Sequence, residues 1–219
     1  MGNAAAVRIN PEFDNIKPLT LGDGGALVLK TDLSKEEEPL PTHRYMGDSN
    51  DHGDPHGRGV MTLESGDTYD GDYKDGMMDG QGVYKFSNGN TYVGQFDKGA
   101  MHGKGVFKYV NGDKYEGDFV RNKKTGQGTF IFASGFVYEG SYQDNLEHGH
   151  GVIQFTNGDV YEGELENGTR KQGTMKYANG DVYTGGWKDR KRHGKGCLTL
   201  KDGLVQDGDW DSDVYVAAQ

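Results

Sequence analysis

This chain of 219 residues has little of several features that define common protein classes. Cysteine occurs once, at Cys197, which excludes an internal disulfide. No apolar run reaches the length of a signal-peptide core or a membrane-spanning helix, which predicts a soluble intracellular protein. Basic residues are outnumbered, with 24 Lys and Arg against 34 Asp and Glu, so the charge does not favour nucleic-acid binding.

Aliphatic residues and proline are also scarce, and the mean hydropathy is −0.83. A core must therefore be built largely from the 13 Tyr, 9 Phe and 2 Trp, whose rings each bury a large area. Glycine, in contrast, reaches 37 residues. With only 5 Pro, this composition matches neither collagen nor a disordered linker, so a periodic pattern must place the glycines.

A unit of 23 residues, varying by one, repeats along the chain, and each unit begins with a tyrosine followed two residues later by glycine. Residues two apart share one face of an extended strand, so Tyr92, Gly94 and Phe96 line one face. Residues 103–109 form a second strand of the same character. Each unit is therefore predicted to be a β-hairpin. The units begin at Tyr45, Tyr69, Tyr92, Tyr115, Tyr138, Tyr161 and Tyr183.

The pattern predicts an all-β fold, an elongated single-layer solenoid of antiparallel β-hairpins. Asn-Gly pairs such as Asn111-Gly112 are expected to form tight turns between units. Strand glycines leave space above the sheet, and we expect the rings of each hairpin to cover the glycines of the next. The chain divides into an N-terminal extended arm at 1–44, seven repeats at 45–205, and a terminal half-repeat with a tail at 206–219.

The pattern Tyr-x-Gly-x-aromatic followed by His-Gly-x-Gly resembles the MORN (membrane occupation and recognition nexus) repeat family, over residues 45 to about 210. Residues 66–69, 82–86, 121–131 and 148–152 further resemble repeats of the MORN protein of the axonemal radial spoke head. The resemblance implies a non-enzymatic scaffold of the cytoskeleton, in a cilium or flagellum.

The pattern is broken at three places. Asp79 and Thr125 replace the histidine of their repeats. The unit that starts at Tyr161 is one residue short and carries Arg170-Lys171-Gln172-Gly173 in place of His-Gly-x-Gly. A local distortion is predicted in that unit.

A long aromatic groove on such a ribbon would suit a helix or an extended tail of a protein partner within a larger assembly. The rings predicted to line this groove are Tyr69, Tyr73, Tyr92, Phe96, Phe107, Tyr115, Phe119, Tyr138 and Tyr142.

The loops between the two strands of each unit are predicted to form a mostly basic edge in the C-terminal half. This edge could orient an acidic partner, or its charges could be ordinary solvated ones. Its residues are Arg121, Lys123, Lys124, Arg170, Lys171, Lys188, Arg190, Lys191 and Arg192. The turns of the opposite edge carry Asp113, Asp159 and Asp181.

No combination of nucleophile, base and orienting residue stands out, so the sequence predicts neither an enzyme nor a cofactor. Residues 48–53 imitate the start of a calcium loop, but Gly59 stands where a bidentate glutamate belongs. Cys197 occupies a strand position that other units fill with valine. Successive units lie roughly 10 Å apart, too far for their histidines to share a metal ion. These histidines are His56, His102, His148 and His193.

Two alternative functions stay open. Gly2 begins a sequence that resembles an N-myristoylation site, although Ala6 stands where Ser or Thr is usual, so the protein could link a membrane to the cytoskeleton. One acyl chain alone holds membranes only marginally. MORN arrays also occur beside catalytic domains, so the chain could be an accessory subunit of an enzyme.

In the arm, residues 10–18 are predicted to be extended and residues 26–30 to form a short strand.

Overall fold

The computed structural model describes residues 44–216, in which every regular element is a β-strand. Sixteen antiparallel strands form an open sheet whose strand order follows the chain, which confirms the predicted all-β hairpin array. The predictions for Gly2, residues 10–18 and residues 26–30 lie outside the described residues. The strands are β1 (Arg44–Ser49), β2 (Pro55–Thr62), β3 (Thr68–Lys74), β4 (Met77–Lys85), β5 (Thr91–Asp97), β6 (Ala100–Lys108), β7 (Lys114–Val120), β8 (Lys123–Ile131), β9 (Val137–Gln143), β10 (Leu146–Gln154), β11 (Val160–Glu166), β12 (Thr169–Lys176), β13 (Val182–Lys188), β14 (Lys191–Thr199), β15 (Val205–Asp211) and β16 (Val214–Val216).

The described residues belong to two compact units. The N-terminal unit contains residues 44–110 and 119–122, and the C-terminal unit contains residues 111–118 and 123–216. In each unit the core lies on the face of the sheet that carries the repeat tyrosines, which we call the inner face. Along β5, for example, Tyr92 and Phe96 are buried while Val93 is exposed on the outer face. The predicted alternation of faces is confirmed.

Each repeat tyrosine packs over glycines of its own hairpin. A Cβ placed on Gly94 would come within 2.5 Å of the Tyr92 hydroxyl, and the same ring fills the space above Gly105 on the adjoining strand. The expectation that rings cover the glycines of the next hairpin is therefore wrong. The tyrosine hydroxyl donates to the carbonyl oxygen three residues later, which lays the ring flat along the strand. The acceptors in the seven repeats are Asp48, Asp72, Gln95, Asp118, Ser141, Glu164 and Gly186.

Edge-to-face ring contacts join successive repeats. Tyr92 contacts Phe96 of its own repeat and Phe119 of the next, in both cases with ring centroids 5.1 Å apart. Tyr183 makes the equivalent contacts with tryptophans at 5.1 and 5.3 Å. Such pairs contribute about 0.5–1.5 kcal/mol beyond the area that they bury. Each hairpin is therefore stabilised by its neighbours, as expected of a repeat protein.

Two kinds of turn connect the strands. Within a repeat the turn has two residues that both have positive φ, for example Arg121 at 48° and Asn122 at 68°, as in a type I′ hairpin. Between repeats the loop has three residues, closed by a bond from the Phe86 N–H to the Asn90 carbonyl, and only Gly89 in it has positive φ. The prediction that Asn-Gly pairs form the turns between repeats is therefore confirmed, in loops of three residues with only the glycine at positive φ, while the two-residue turns lie inside the repeats.

The His-Gly-x-Gly sequence forms a β-bulge. Gly94 pairs with Gly105, but its neighbour Gln95 pairs with His102, so two residues of β6 have no partner on β5. One of them, Gly103, has a φ of 60°, a conformation that glycine adopts without strain. The first glycine of the motif is thus needed for the bulge, and the second for the tyrosine ring.

The short sixth repeat has a smaller bulge than the others. Leu165 pairs with Arg170, and the preceding pairs continue in register, so one residue instead of two is extra on β12. Tyr161 stays fully buried, and its hydroxyl still reaches the Glu164 carbonyl at 3.0 Å. The predicted distortion is therefore limited to a shorter bulge.

The last hairpin, β15 and β16, is closed by a different tyrosine. Gln206 stands where earlier repeats begin with tyrosine. Tyr215 of β16 replaces that ring. Its hydroxyl donates to the Asp207 carbonyl at 3.0 Å, and its ring lies 3.1 Å from a Cβ placed on Gly208. The region predicted as a terminal half-repeat thus ends in an aromatic cap.

Candidate interaction surface

The nine rings predicted to line a groove are core residues. Their exposed fractions lie between 0% and 5%, because they pack on strand glycines and on one another. A partner could not reach them without opening the hairpins, so the prediction of an exposed groove built from these rings is corrected. The nine are Tyr69, Tyr73, Tyr92, Phe96, Phe107, Tyr115, Phe119, Tyr138 and Tyr142.

A single position in the repeat changes character along the chain. The second residue after each two-residue turn lies on the inner face, where it pairs with the residue four after the repeat tyrosine, as Met78 does with Tyr73. We call this set the inner row. It is apolar in the N-terminal unit and charged in the C-terminal unit. Its members are Met78, Met101, Lys124, Glu147, Arg170 and Arg192.

Lys124 and Glu147 are buried charges of opposite sign, with exposed fractions of 8% and 5%. The Lys124 ammonium lies 4.8 Å from the centre of the Phe130 ring and 5.5 Å from that of Tyr142. Burial lowers the pKa of Lys124 to about 8, against the attraction of Glu147. Burial likewise raises the pKa of Glu147 to about 7, against the attraction of Lys124. Desolvation therefore outweighs the attraction for both groups.

The two arginines of the inner row stack on tryptophans of the following hairpin. The guanidinium carbon of Arg170 lies 4.4 Å from the centre of Trp187, and that of Arg192 lies 4.3 Å from Trp210. Arg192 also binds the Asp213 carboxylate at 3.2 Å and is 19% exposed. Arg170 donates to the Arg190 carbonyl at 2.9 Å. The contacts of the two guanidinium groups with Trp187 and Trp210 are cation–π interactions, which strengthen when the cation is partly desolvated.

The residues of the predicted basic edge therefore fall into two groups, one on the inner face and one at the surface. Lys124, Arg170 and Arg192 point onto inner-face rings, as described above. Lys123 binds Asp144 at 3.0 Å and Lys171 binds Glu166 at 2.7 Å, so these pairs are neutral at the surface. The remaining exposed cations are Arg121 in the N-terminal unit and Lys188, Arg190 and Lys191 in the C-terminal unit.

In the loops between repeats, an Asp or Asn side chain accepts a hydrogen bond from a backbone N–H of the next such loop. The Asp159 carboxylate, for example, accepts from the Ala178 N–H at 2.8 Å. The predicted acidic turn residues are therefore engaged in structural hydrogen bonds. The acceptors are Asp67, Asn90, Asp113, Asp159 and Asp181, and their donors are the N–H groups of Ser87, Val110, Ala133, Ala178 and Lys201.

Phe136 stands where this acceptor is expected, so no side-chain oxygen at that position faces the next loop. Its ring instead packs edge to face on Phe132 at 5.0 Å and on Phe155 at 5.4 Å. All three rings are partly exposed. Phe136 is not among the predicted site residues, although Gly135-Phe136 stands in place of Gly-Asp when the repeats are aligned.

The remaining predicted chemistry finds structural roles. Cys197 pairs across the sheet with Thr184 and Asp207 on the outer face, in the predicted strand position. The Nδ1 atom of His56 accepts from the Asp75 N–H in the next turn at 3.4 Å. Between residues 44 and 216, no three His, Cys, Asp or Glu side chains are grouped as a metal site requires. In the same residues no helix has the length and apolarity to cross a membrane.

Comparison with known families agrees with this architecture. The MORN repeat matches the chain at residues 51–68, 69–91, 92–114, 115–137, 138–160, 161–182 and 183–205, which is more than half of its length. The chain belongs to the MORN-repeat family. The MORN repeat is a non-catalytic unit, typical of scaffolds that bind proteins or membranes. No curated protein sequence matches the chain significantly.

Solved structures resemble the chain weakly. The TCP domain of Drosophila melanogaster SAS-4, in complex with a proline-rich motif of Ana2, is 14% identical with a TM-score of 0.47, over 83% of this chain and 99% of that one. The wild-type TCP10 domain of Danio rerio CPAP is 17% identical with a TM-score of 0.32, over 78% of this chain and 91% of that one. These values support no inference about this protein.

Proposed function

We propose that this protein is a non-enzymatic, protein-binding scaffold of the cytoskeleton, part of a larger assembly in a ciliary or flagellar axoneme. The observation that carries the proposal is the contrast between the faces of the C-terminal unit. The inner face offers partly exposed rings, the half-buried cations Arg170 and Arg192 and the buried Lys124, whereas the outer face carries exposed Glu139 and Glu162 on either side of Val152. Two faces of different chemistry, with side chains repeated at the regular spacing of the strands, suit a scaffold that positions several partners. The axonemal assignment rests on the resemblance to radial spoke head repeats.

The exposed cations around one turn, Lys188, Arg190 and Lys191, support a role in steering an acidic partner. We expect that reversing these three residues to glutamate leaves the fold intact but weakens incorporation into the native complex. Wild-type incorporation should fall as salt rises. Arg192 is left unchanged, because its reversal would remove the stack on Trp210. Normal incorporation of the triple variant at low salt would contradict this role.

The alternatives give different results in two experiments. Purification of the tagged protein from its native cell should recover axonemal proteins if the proposal is correct, and a separate catalytic subunit if the protein is an enzyme accessory. Sedimentation with liposomes, using the wild type and Gly2→Ala, tests the membrane linker. A scaffold that binds only proteins should ignore both the lipid and the substitution.

A further inference from the structure

The cluster of Phe132, Phe136 and Phe155 is not required by the loop that carries it. That loop closes as the others do, with the Phe132 N–H donating to the Phe136 carbonyl at 2.9 Å. An Asp or Asn at position 136 would add the hydrogen bond found between the other loops, worth about 1 kcal/mol. The chain instead keeps a partly exposed ring. Contiguous apolar groups that stay partly accessible to solvent in this way favour an interaction site.

Arg170 lies beside this cluster and differs from the other charges of the inner row. Its guanidinium carbon is 5.8 Å from the centre of the Phe155 ring. Lys124 is attracted to Glu147, and Arg192 binds Asp213 at 3.2 Å. Arg170 is attracted to Asp213 only at a longer distance. In the described part of the chain, Arg170 has no carboxylate within ion-pair distance, and its one hydrogen bond is to a backbone carbonyl. A guanidinium is well suited to bidentate binding of a carboxylate.

We propose, on the basis of the proposed scaffold function, that the inner face of the C-terminal unit binds an acidic, aromatic peptide segment of a partner. An aromatic side chain of the segment packs on Phe136 and its two neighbours, and a carboxylate of the segment binds Arg170. The Phe155 ring contacts both Phe136 and Arg170, so the centre of the Phe136 ring and the guanidinium carbon of Arg170 lie no more than about 11 Å apart. Alternate side chains of an extended segment share a face and lie roughly 7 Å apart, which fits this separation.

Three fluorescein-labelled synthetic peptides test the proposal by anisotropy with the full chain. The first repeats Phe-Ser-Glu-Ser, the second Phe-Ser-Lys-Ser, and the third Ala-Ser-Glu-Ser. We expect the first to bind at least about tenfold more tightly than the others, because it alone supplies both the ring and the carboxylate. Equal binding of the lysine peptide, equal binding of the alanine peptide, or no binding by any of the three would overturn the proposal.

Two variants locate the site without disturbing the fold. Phe136→Asp restores the acceptor present at Asp159, and Arg170→Met copies Met78 and Met101 of the inner row. Each should weaken binding of the first peptide by about tenfold, the loss expected when one good contact is removed. The melting temperature should be unchanged or higher for Phe136→Asp. Asp159→Asn, which keeps an acceptor, is the matched control and should change neither property.

The outcomes separate this inference from the proposed function. If both variants bind the first peptide as the wild type does, or still recover the same proteins from the native cell, the peptide site is wrong while the scaffold function stands. If the wild type recovers no partner proteins from the native cell, the scaffold function itself fails.

Discussion

The buried pair of Lys124 and Glu147 gives the sharpest test of the structure. Both pKa values are shifted against the charged form, so the pair costs more in desolvation than it returns in attraction. Met78 and Met101 show that methionine fits the inner row. We predict that Lys124→Met combined with Glu147→Met stabilises the protein by about 1–4 kcal/mol, because replacing a buried ion pair by apolar side chains of similar size often has an effect of this magnitude.

The single variants should differ from the double variant in a pH-dependent manner. In Lys124→Met, Glu147 remains, and its pKa is raised from 4.5 to at least about 7 because its attractive partner has been removed. A raised pKa means that the contribution of Glu147 to stability is fully present below pH 4.5 and is lost as the pH rises through the folded-state value. The loss is about 1.4 kcal/mol per pH unit.

The single variant Lys124→Met should therefore be less stable than the double variant by roughly 3 kcal/mol at about pH 7, and by less than about 1 kcal/mol at about pH 5. Glu147→Met should show its pH dependence at higher pH: because the pKa of Lys124 is lowered from 10.5 to about 8 or below, its cost is constant at acidic and neutral pH and shrinks as the pH rises from about 8 towards 10.5. Urea unfolding followed by circular dichroism measures these differences. A gap that does not change with pH, or a double variant less stable than both single variants, would refute the reasoning.

Other substitutions test the repeat unit itself. Tyr92→Phe removes the donor to the Gln95 carbonyl and should lower the free energy of unfolding by about 1 kcal/mol in urea titrations. Gly117→Val should lower the melting temperature more than an average surface change, because a Cβ there would lie 2.5 Å from the Tyr115 hydroxyl; an unchanged value would contradict the ring-over-glycine packing. Asp159→Ala should cost about 1 kcal/mol through loss of the bond to the next loop, whereas Asp159→Asn should be close to neutral.

The strands and their faces could be predicted because both follow from spacing. A residue pair two apart shares a strand face, so Tyr-x-Gly-x-aromatic defines the inner face without any knowledge of the partner strand. The burial of the rings could not be predicted in this way. It depends on how the missing side chains of Gly94 and Gly105 allow the Tyr92 ring to lie flat, which is a property of the paired strands.

The placement of the basic residues depended on the length of one turn. The sequence alone predicts a single loop at residues 121–124, with Lys123 and Lys124 together on one edge. The turn in fact ends at Asn122, so both lysines are already in β8 and alternate between its faces. Lys123 reaches Asp144 at the surface, while Lys124 enters the core. Pairs such as Asp75-Gly76 in the equivalent loops are typical of two-residue turns and could have revealed this.

The shorter bulge of the sixth repeat leads to a prediction for the seventh, where Gly194 is a bulge residue and Gly196 lies under the Tyr183 ring. Deleting Gly194 leaves one extra residue, the arrangement that residues 170–173 already adopt, so the strands should pair as before with a modest loss of stability. Deleting Gly196 shortens the chain equally but brings Lys195 under the ring, where a Cβ would lie 2.5 Å from a Tyr183 ring carbon. This deletion should cost several times more in urea unfolding, because a side chain cannot share that space. Equal losses for the two deletions would mean that the length of the strand, and not the space beneath the tyrosine, determines where these glycines occur.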